Sequence, residues 1–185
     1  MQVVAAGKAG DAGASHGLAA AHLFALVDGA WEEQAKLTAS DGAASGWFGW
    51  SVAVYGNVAV VGAYGDDDSG SGSGSVYVFR HDGVGWVEEQ KLLASDGAAN
   101  DNFGDSVSIS GDVALVGSYG DDDNGSNSGS AYIFRYNGSS WVQRGADIDG
   151  EAADDQFGIS VSASGDGNTV VVRSEERRVG KESRS

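Results

Sequence analysis

The chain contains no cysteine and no proline. Without cysteine it has neither disulfides nor thiolate ligands for a metal. Long hydrophobic runs are missing too, since no stretch approaches the roughly 18 consecutive apolar residues of a membrane-spanning helix. We therefore expect no membrane insertion.

Basic residues are scarce. Only 11 Lys and Arg stand against 27 Asp and Glu among 185 residues, which gives a formal net charge of −16. Binding to nucleic acid needs a basic surface, so this charge balance argues against a nucleic-acid partner. Glycine is abundant at 30 residues, and 41% of the residues are hydrophobic, which argues against a disordered chain.

An internal repeat of 55 residues dominates the sequence. One tryptophan recurs at this spacing: Trp31, Trp86 and Trp141. A Phe-Gly pair recurs as well, at 48–49, 103–104 and 157–158. The segment WEEQAKLTASDGAA returns as WVEEQKLLASDGAA, and longer segments match equally well. Because the aromatic residues recur in every copy, we predict that they pack between repeats.

Each copy predicts four short strands. In the second full copy, Ser106–Ser110 alternates Ser with Val and Ile, and Val113–Tyr119 follows after a tight turn. A polar loop leads to Ser130–Tyr136, and the hairpin signal Asn137-Gly138 precedes a fourth strand that begins at Trp141. Four strands per copy with glycine-rich turns are typical of a β-propeller. We predict an all-β fold made of blades with four antiparallel strands.

The copies divide the chain into parts. Residues 1–30 are a decayed copy that supplies the second and third strands of a blade, so we interpret their apolar stretch as a strand and expect no signal peptide. Residues 31–172 carry the repeats proper. The total is about 3.25 blades, fewer than the roughly four to eight of a closed propeller. We expect a partial propeller, which a homodimer could complete as a ring of about six blades.

The last 13 residues, 173–185, depart from the repeat and hold five of the 11 basic residues. They resemble a translated sequencing adapter, with Ser183 where that translation has Cys. We interpret them as a non-native tail on a fragment from an environmental assembly. A natural basic tail is the alternative.

The sequence resembles the FG-GAP repeat of integrin α-chain heads and, more closely, of bacterial surface proteins. The Phe-Gly pairs match its FG motif, and Gly62-Ala63-Tyr64 and Gly117-Ser118-Tyr119 match its GAP motif. Tyr stands where the family has Pro. The resemblance implies a β-propeller that serves adhesion or ligand binding in a secreted or cell-surface protein of bacterial origin. Integrin-type calcium sites lie between the two motifs, but here that connection is only 55–57 or 110–112, which is too short to hold them.

The acidic residues gather instead in the loop after each GAP motif. Successive connections in a propeller alternate between its two faces, so this loop shares a face with the connection between blades. Adjacent carboxylates repel one another by on the order of 1 kcal/mol per pair, and a hard cation relieves that repulsion. We predict Ca²⁺ ligands here, with one acid of the inter-blade connection: Asp66, Asp68, Asp121, Asp123 and Asn127. A solvated acidic turn is the alternative.

Trp47 and Trp50 occur in one copy only, where the next copy has Asn102 and Asp105. They flank a Phe-Gly pair on the propeller face that carries the acidic loops and the inter-blade connections, which we call the acidic face. We predict that they bind a ligand, either a carbohydrate or a protein. Packing against the decayed first copy is the alternative.

Catalysis requires unlike residues placed together, which would break the symmetry of the repeat. The two intact copies differ mainly by conservative exchanges. We therefore predict a calcium-assisted binding module and not an enzyme. Two alternatives stay open: a fragment of a propeller enzyme of the polysaccharide lyase or phosphodiesterase type, and a purely structural repeat.

Overall fold

The computed structural model of the protein describes residues 3–8, 20–42 and 45–175. These residues form strands, turns and loops, and no helix among them is long and apolar enough to cross a membrane. The predicted all-β fold is confirmed, with antiparallel sheets that match propeller blades.

Within the described residues the strands form four sheets. Sheet 1 contains β1 (Val3–Lys8), β2 (Ala20–Val27) and β3 (Ala30–Leu37). Sheet 2 contains β4 (Val52–Tyr55), β5 (Val58–Ala63), β6 (Ser75–His81) and β7 (Trp86–Leu92). Sheet 3 contains β8 (Ser106–Ser110), β9 (Val113–Ser118), β10 (Ser130–Tyr136), β11 (Trp141–Gln143) and β12 (Ile148–Asp149). Sheet 4 contains β13 (Ser160–Ala163) and β14 (Val170–Arg173). Strands that follow each other along the chain lie side by side, except that β12 pairs with β10 and not with β11.

The core lies between stacked sheets. Because they are covered on both faces, β5 and β9, the second strands of sheets 2 and 3, are apolar on both faces. All six residues of β5 are buried. Val58 and Val60 pack in the cluster shared with sheet 3, whereas Ala59 and Val61 pack in the cluster shared with sheet 1. Alternate side chains of one strand therefore serve two different interfaces.

The first glycine of each GAP motif lies against the glycine of the next Phe-Gly pair, where neighbouring sheets touch. A Cβ atom added to Gly62 would lie 2.0 Å from the carbonyl oxygen of Gly104, and one added to Gly117 would lie 1.9 Å from that of Gly158. The Gly104 carbonyl also accepts a hydrogen bond of 2.7 Å from Ser51 Oγ. Only glycine permits this approach of one sheet's backbone to the next.

The recurring tryptophans are buried to different degrees. Trp141 is 3% exposed, and its indole N–H donates to Glu89 on β7. Trp31 is 49% exposed, because the described residues include no sheet before sheet 1 to cover it. The expectation of packing between repeats therefore holds for Trp141 but not for Trp31.

The fourth strand of sheet 3 is interrupted, unlike β7. Residues 144–147 separate β11 from β12, although both strands pair with β10. Leu92 pairs with Val76, and Ile148 pairs with the equivalent Ala131. Ile148 therefore lies seven residues after Trp141, whereas the equivalent Leu92 lies six residues after Trp86. Gly145, with a left-handed φ of +77°, accommodates the extra residue.

The two ends of the chain are described only in part. The decayed N-terminal copy provides β1 and β2. Of the predicted non-native tail, Arg173 ends β14 and 174–175 follow it, while 176–185 lie outside the described residues.

We expect Gly117→Ala to lower the free energy of unfolding by about 3 kcal/mol or to prevent folding, because the added Cβ overlaps the next sheet's backbone. Gly85→Ala is the control, since an added Cβ there meets nothing within 4 Å and the φ angle is ordinary. Urea denaturation measures both variants. Equal stabilities would contradict the close approach between sheets.

Candidate cation site

Buried tyrosines on the third strands bring the acidic segments together. Each hydroxyl lies 2.7 to 2.9 Å from two carboxylates, one from the connection that enters the sheet and one from the loop before the tyrosine's own strand. The groups are Tyr77 with Asp41 and Asp66 in sheet 2, and Tyr132 with Asp96 and Asp121 in sheet 3. The two kinds of acidic segment therefore meet, as expected for connections on one propeller face.

In sheet 2 a lysine forms ion pairs with the acids. Lys91 lies opposite Tyr77 in the β6–β7 pair. Its Nζ atom is 2.8 Å from Asp41, 2.8 Å from Asp66 and 2.6 Å from Asp68. We call these three aspartates and Lys91 the lysine-bridged cluster. One ammonium group thus binds three carboxylates from two segments of the chain.

The pKa shifts of this cluster reflect its compensated charge. Hydrogen bonds from Lys91, and then from Tyr77, hold the pKa of Asp41 below its usual value. Burial works to raise the pKa of Asp66, but hydrogen bonds from Lys91, Ser75 and Tyr77 outweigh it and lower the pKa. Burial works to lower the pKa of Lys91, but its three carboxylates raise it above its usual value. Asp41, Asp66 and Lys91 are therefore charged near neutral pH.

Sheet 3 repeats this arrangement without the lysine. Carboxylate oxygens of Asp96, Asp123 and Asp147 all lie within 4.8 Å of one another. Asp121 joins them through Tyr132, which also binds Asp96. We call these four aspartates the all-acid cluster.

Asp147 occupies the position that Lys91 has in sheet 2. Because Ile148 pairs with Ala131, the residue before Ile148 falls opposite Tyr132, just as Lys91 falls opposite Tyr77. A carboxyl group therefore stands where the lysine-bridged cluster has its ammonium group.

The all-acid cluster carries uncompensated charge. Burial, with the neighbouring carboxylate of Asp149 adding to it, raises the pKa of Asp147 to about 7. The charge of Asp121, followed by burial, raises the pKa of Asp123. Among the described residues, no Lys or Arg forms an ion pair with any of these carboxylates.

At least two carboxylate oxygens of the all-acid cluster lack a proton donor among the described residues. The Oδ2 atom of Asp147 is buried without a hydrogen-bond partner among the described residues. The Tyr132 hydroxyl lies 2.9 Å from two carboxylate oxygens but has a single proton to donate. A bound cation would satisfy both deficits.

The donor set fits a hard divalent cation. Calcium takes oxygen ligands at about 2.3–2.6 Å, so two ligands on opposite sides of the ion are about 5 Å apart. The 4.8 Å spread of the three carboxylates lies within that span. Asp96 and Asp123 are exposed, so an ion can reach the cluster from solvent.

The predicted metal ligands belong to two separate clusters. Asp66 and Asp68 are bound by Lys91, whereas Asp121 and Asp123 belong to the all-acid cluster. Asn127 lies in the same loop with a left-handed φ of +51°. Its N–H donates to Asp122 and its side-chain amide to Ser126.

The 55-residue spacing does not reveal the residue pair that distinguishes the clusters. At a constant spacing of 55 residues, Lys91 aligns with Ala146. The extra residue before β12 shifts the structural match to Asp147. A gap placed within the fourth strand is the signal that would have revealed the exchange.

The predicted ligand-binding tryptophans form an aromatic cluster with Tyr64. Trp47 and Trp50 are 37% and 52% exposed. Trp47 stacks on Tyr64, with ring centroids 6.1 Å apart, and Trp50 meets Tyr64 at 4.9 Å with its ring tilted by 61°. Trp50 Nε1 donates a 2.8 Å hydrogen bond to Asp105. Tyr64 directly precedes the acidic loop, so the aromatic cluster borders the acidic face.

The family model described as the FG-GAP repeat matches residues 31–79 and 86–134, more than half of the chain. The chain belongs to the FG-GAP repeat family. Each matched FG-GAP unit begins at a tryptophan in the last strand of one sheet, Trp31 on β3 or Trp86 on β7. It ends in the third strand of the next sheet, β6 or β10. Comparison with curated proteins finds none that matches the chain.

The buried carboxyl of Asp101 gives a pH-dependent prediction. Burial raises its pKa to about 6, although a hydrogen bond from the Ala98 N–H opposes this shift. The folded state therefore holds this proton more tightly than the unfolded state, whose pKa is about 3.8. The stability that the Asp101 carboxyl contributes is complete below the unfolded-state pKa of 3.8 and is lost as the pH rises through the folded-state pKa of about 6.

We expect Asp101→Asn to be more stable than the parent by about 2 kcal/mol at pH 8, because Asn cannot ionise. The advantage should shrink as the pH is lowered toward 4. Denaturation in the presence of EDTA at several pH values measures it. A constant difference across that range would contradict the raised pKa.

Proposed function

We propose that the chain is a non-catalytic binding module whose acidic face is stabilised by Ca²⁺ at the all-acid cluster. One observation carries the cation site: Lys91 of one cluster is exchanged for Asp147 in the other, while the remaining acids stay. The lysine is a cation that the chain supplies itself. Where aspartate replaces it, compensation must come from solution.

The chemistry of the ligands supports calcium. All four groups of the cluster are carboxylates, which hard cations prefer. Extracellular modules bind calcium with dissociation constants of about 10⁻⁴–10⁻³ M. We expect an affinity in this range, since we propose that the protein is secreted or displayed on a bacterial cell surface.

Family membership and the symmetry of the sheets support binding over catalysis. FG-GAP propellers of the integrin type serve adhesion, and the acidic face offers both a cation site and exposed aromatic rings for a ligand. Around Tyr77 and Tyr132, sheets 2 and 3 present equivalent carboxylates apart from the lysine exchange. Catalysis depends on unlike groups that activate one another.

We expect calcium to bind the EDTA-treated protein saturably and to raise its melting temperature. Asp123→Asn should weaken binding by about tenfold or more, because it removes a charged ligand. Asp68→Asn is the matched control: it removes the equivalent acid from the lysine-bridged cluster and should leave calcium affinity unchanged. Calorimetric titration measures both. Equal losses, or no binding to the parent at millimolar calcium, would refute the site.

The exchange of charges can also be reversed. We expect Asp147→Lys to abolish calcium binding and to raise the melting temperature in EDTA by several degrees, since the ammonium would bind the remaining three carboxylates. Lys91→Asp should instead add a second calcium site and destabilise the protein in EDTA. If Asp147→Lys binds calcium like the parent, the cation does not occupy the lysine-equivalent position.

A further inference from the structure

The fold does not require the two indoles of the aromatic cluster. Trp47 has a left-handed φ of +54°, and the equivalent Asn102 and Gln156 have φ of +60° and +49°. This conformation suits Asn and is costly for a bulky side chain. The backbone therefore forms equally well with small polar residues, and the strain at Trp47 points to a role other than packing.

The aromatic cluster presents a rigid apolar surface. Trp47 and Trp50 meet edge to face at 6.4 Å and 81°, and Tyr64 packs against both. The indoles hold one another in place while parts of their faces stay exposed. Because the three rings are already in contact, no gap between them can receive an inserted side chain. Because the two indoles are nearly perpendicular, a ligand with a flat apolar face can lie on one indole while its edge meets the other.

Polar groups border this surface. The Asp105 carboxylate accepts the Trp50 indole N–H, and burial raises its pKa. Burial, followed by the charge of Asp105, raises the pKa of both Tyr64 and Tyr119, so both phenols keep their protons at neutral pH. Among the described residues, no Lys or Arg pairs with Asp105. The surroundings thus combine a carboxylate acceptor and hydroxyl donors with no positive charge.

We propose that the aromatic cluster binds a neutral saccharide. A pyranose ring has an apolar C–H face that stacks on an indole, and its hydroxyl groups match the carboxylate and phenols beside Trp50. Acidic sugars are disfavoured by Asp105 and by the net charge of −16. This inference rests on the proposed binding function and names the class of its ligand.

The test uses the full chain with three neutral hexasaccharides: cellohexaose, chitohexaose and mannohexaose. An oligogalacturonate serves as the acidic control and an oligo-arginine peptide as the protein-like alternative. Tryptophan fluorescence and calorimetry measure binding. Two variants should fold: Trp47→Asn introduces the residue of the next copy, and Trp50→Ser puts no second carboxylate beside Asp105. The control Trp31→Ala removes an exposed indole on β3, away from the aromatic cluster.

We expect a neutral hexasaccharide to bind, and both cluster variants to lose about tenfold or more in affinity, with the melting temperature maintained and Trp31→Ala unchanged. The inference is overturned if none of the three binds at millimolar concentration, if both cluster variants bind like the parent, or if only the peptide depends on Trp50. Calcium titration of the same samples separates the two proposals, because the cation site can be intact when saccharide binding fails.

Discussion

The close approach of neighbouring sheets at glycine is the constraint on which the acidic face depends. The Gly158 carbonyl lies against Gly117, so the segment that leads into each sheet runs alongside the preceding sheet. The connection between sheets is held in turn by hydrogen bonds from Gly120 N–H and Ser118 Oγ to the Asp101 carbonyl. Carboxylates from the connection and from the loop are thereby brought together despite their mutual repulsion.

The acids accept hydrogen bonds within their own loops and from the core, and these bonds offset that repulsion. Asp66 accepts the N–H of Asp67, and Asp121 accepts the N–H of Asp123. Both also bind the buried hydroxyl of the third-strand tyrosine. Removing these carboxylates would leave buried polar groups without partners. The structure therefore retains the negative charge and compensates it with Lys91 in sheet 2, and by our proposal with calcium in sheet 3.

The regularity of the repeat allowed the strands to be predicted closely. Ser106–Ser110 and Ser130–Tyr136 are strands with the predicted bounds, because alternation and turn residues are local properties. The meeting of the two acidic segments followed from propeller topology. The role of Lys91 did not, because it depends on a register that one extra residue beyond Trp141 displaces. Pairing across strands is a three-dimensional property that a constant spacing cannot show.

Two of the departures from the repeat lie beside the acidic loops: Lys91 is replaced by Asp147 at the fourth strand, and Trp47 and Trp50 replace small polar residues at the Phe-Gly pair. In a repeat protein each unit contacts only its neighbours, so one exchanged side chain alters local chemistry without altering the fold. The backbone at Trp47 has the same left-handed turn as at Asn102, and Tyr132 holds its acids as Tyr77 does. The scaffold is therefore common to the copies, and specificity resides in the positions where they differ.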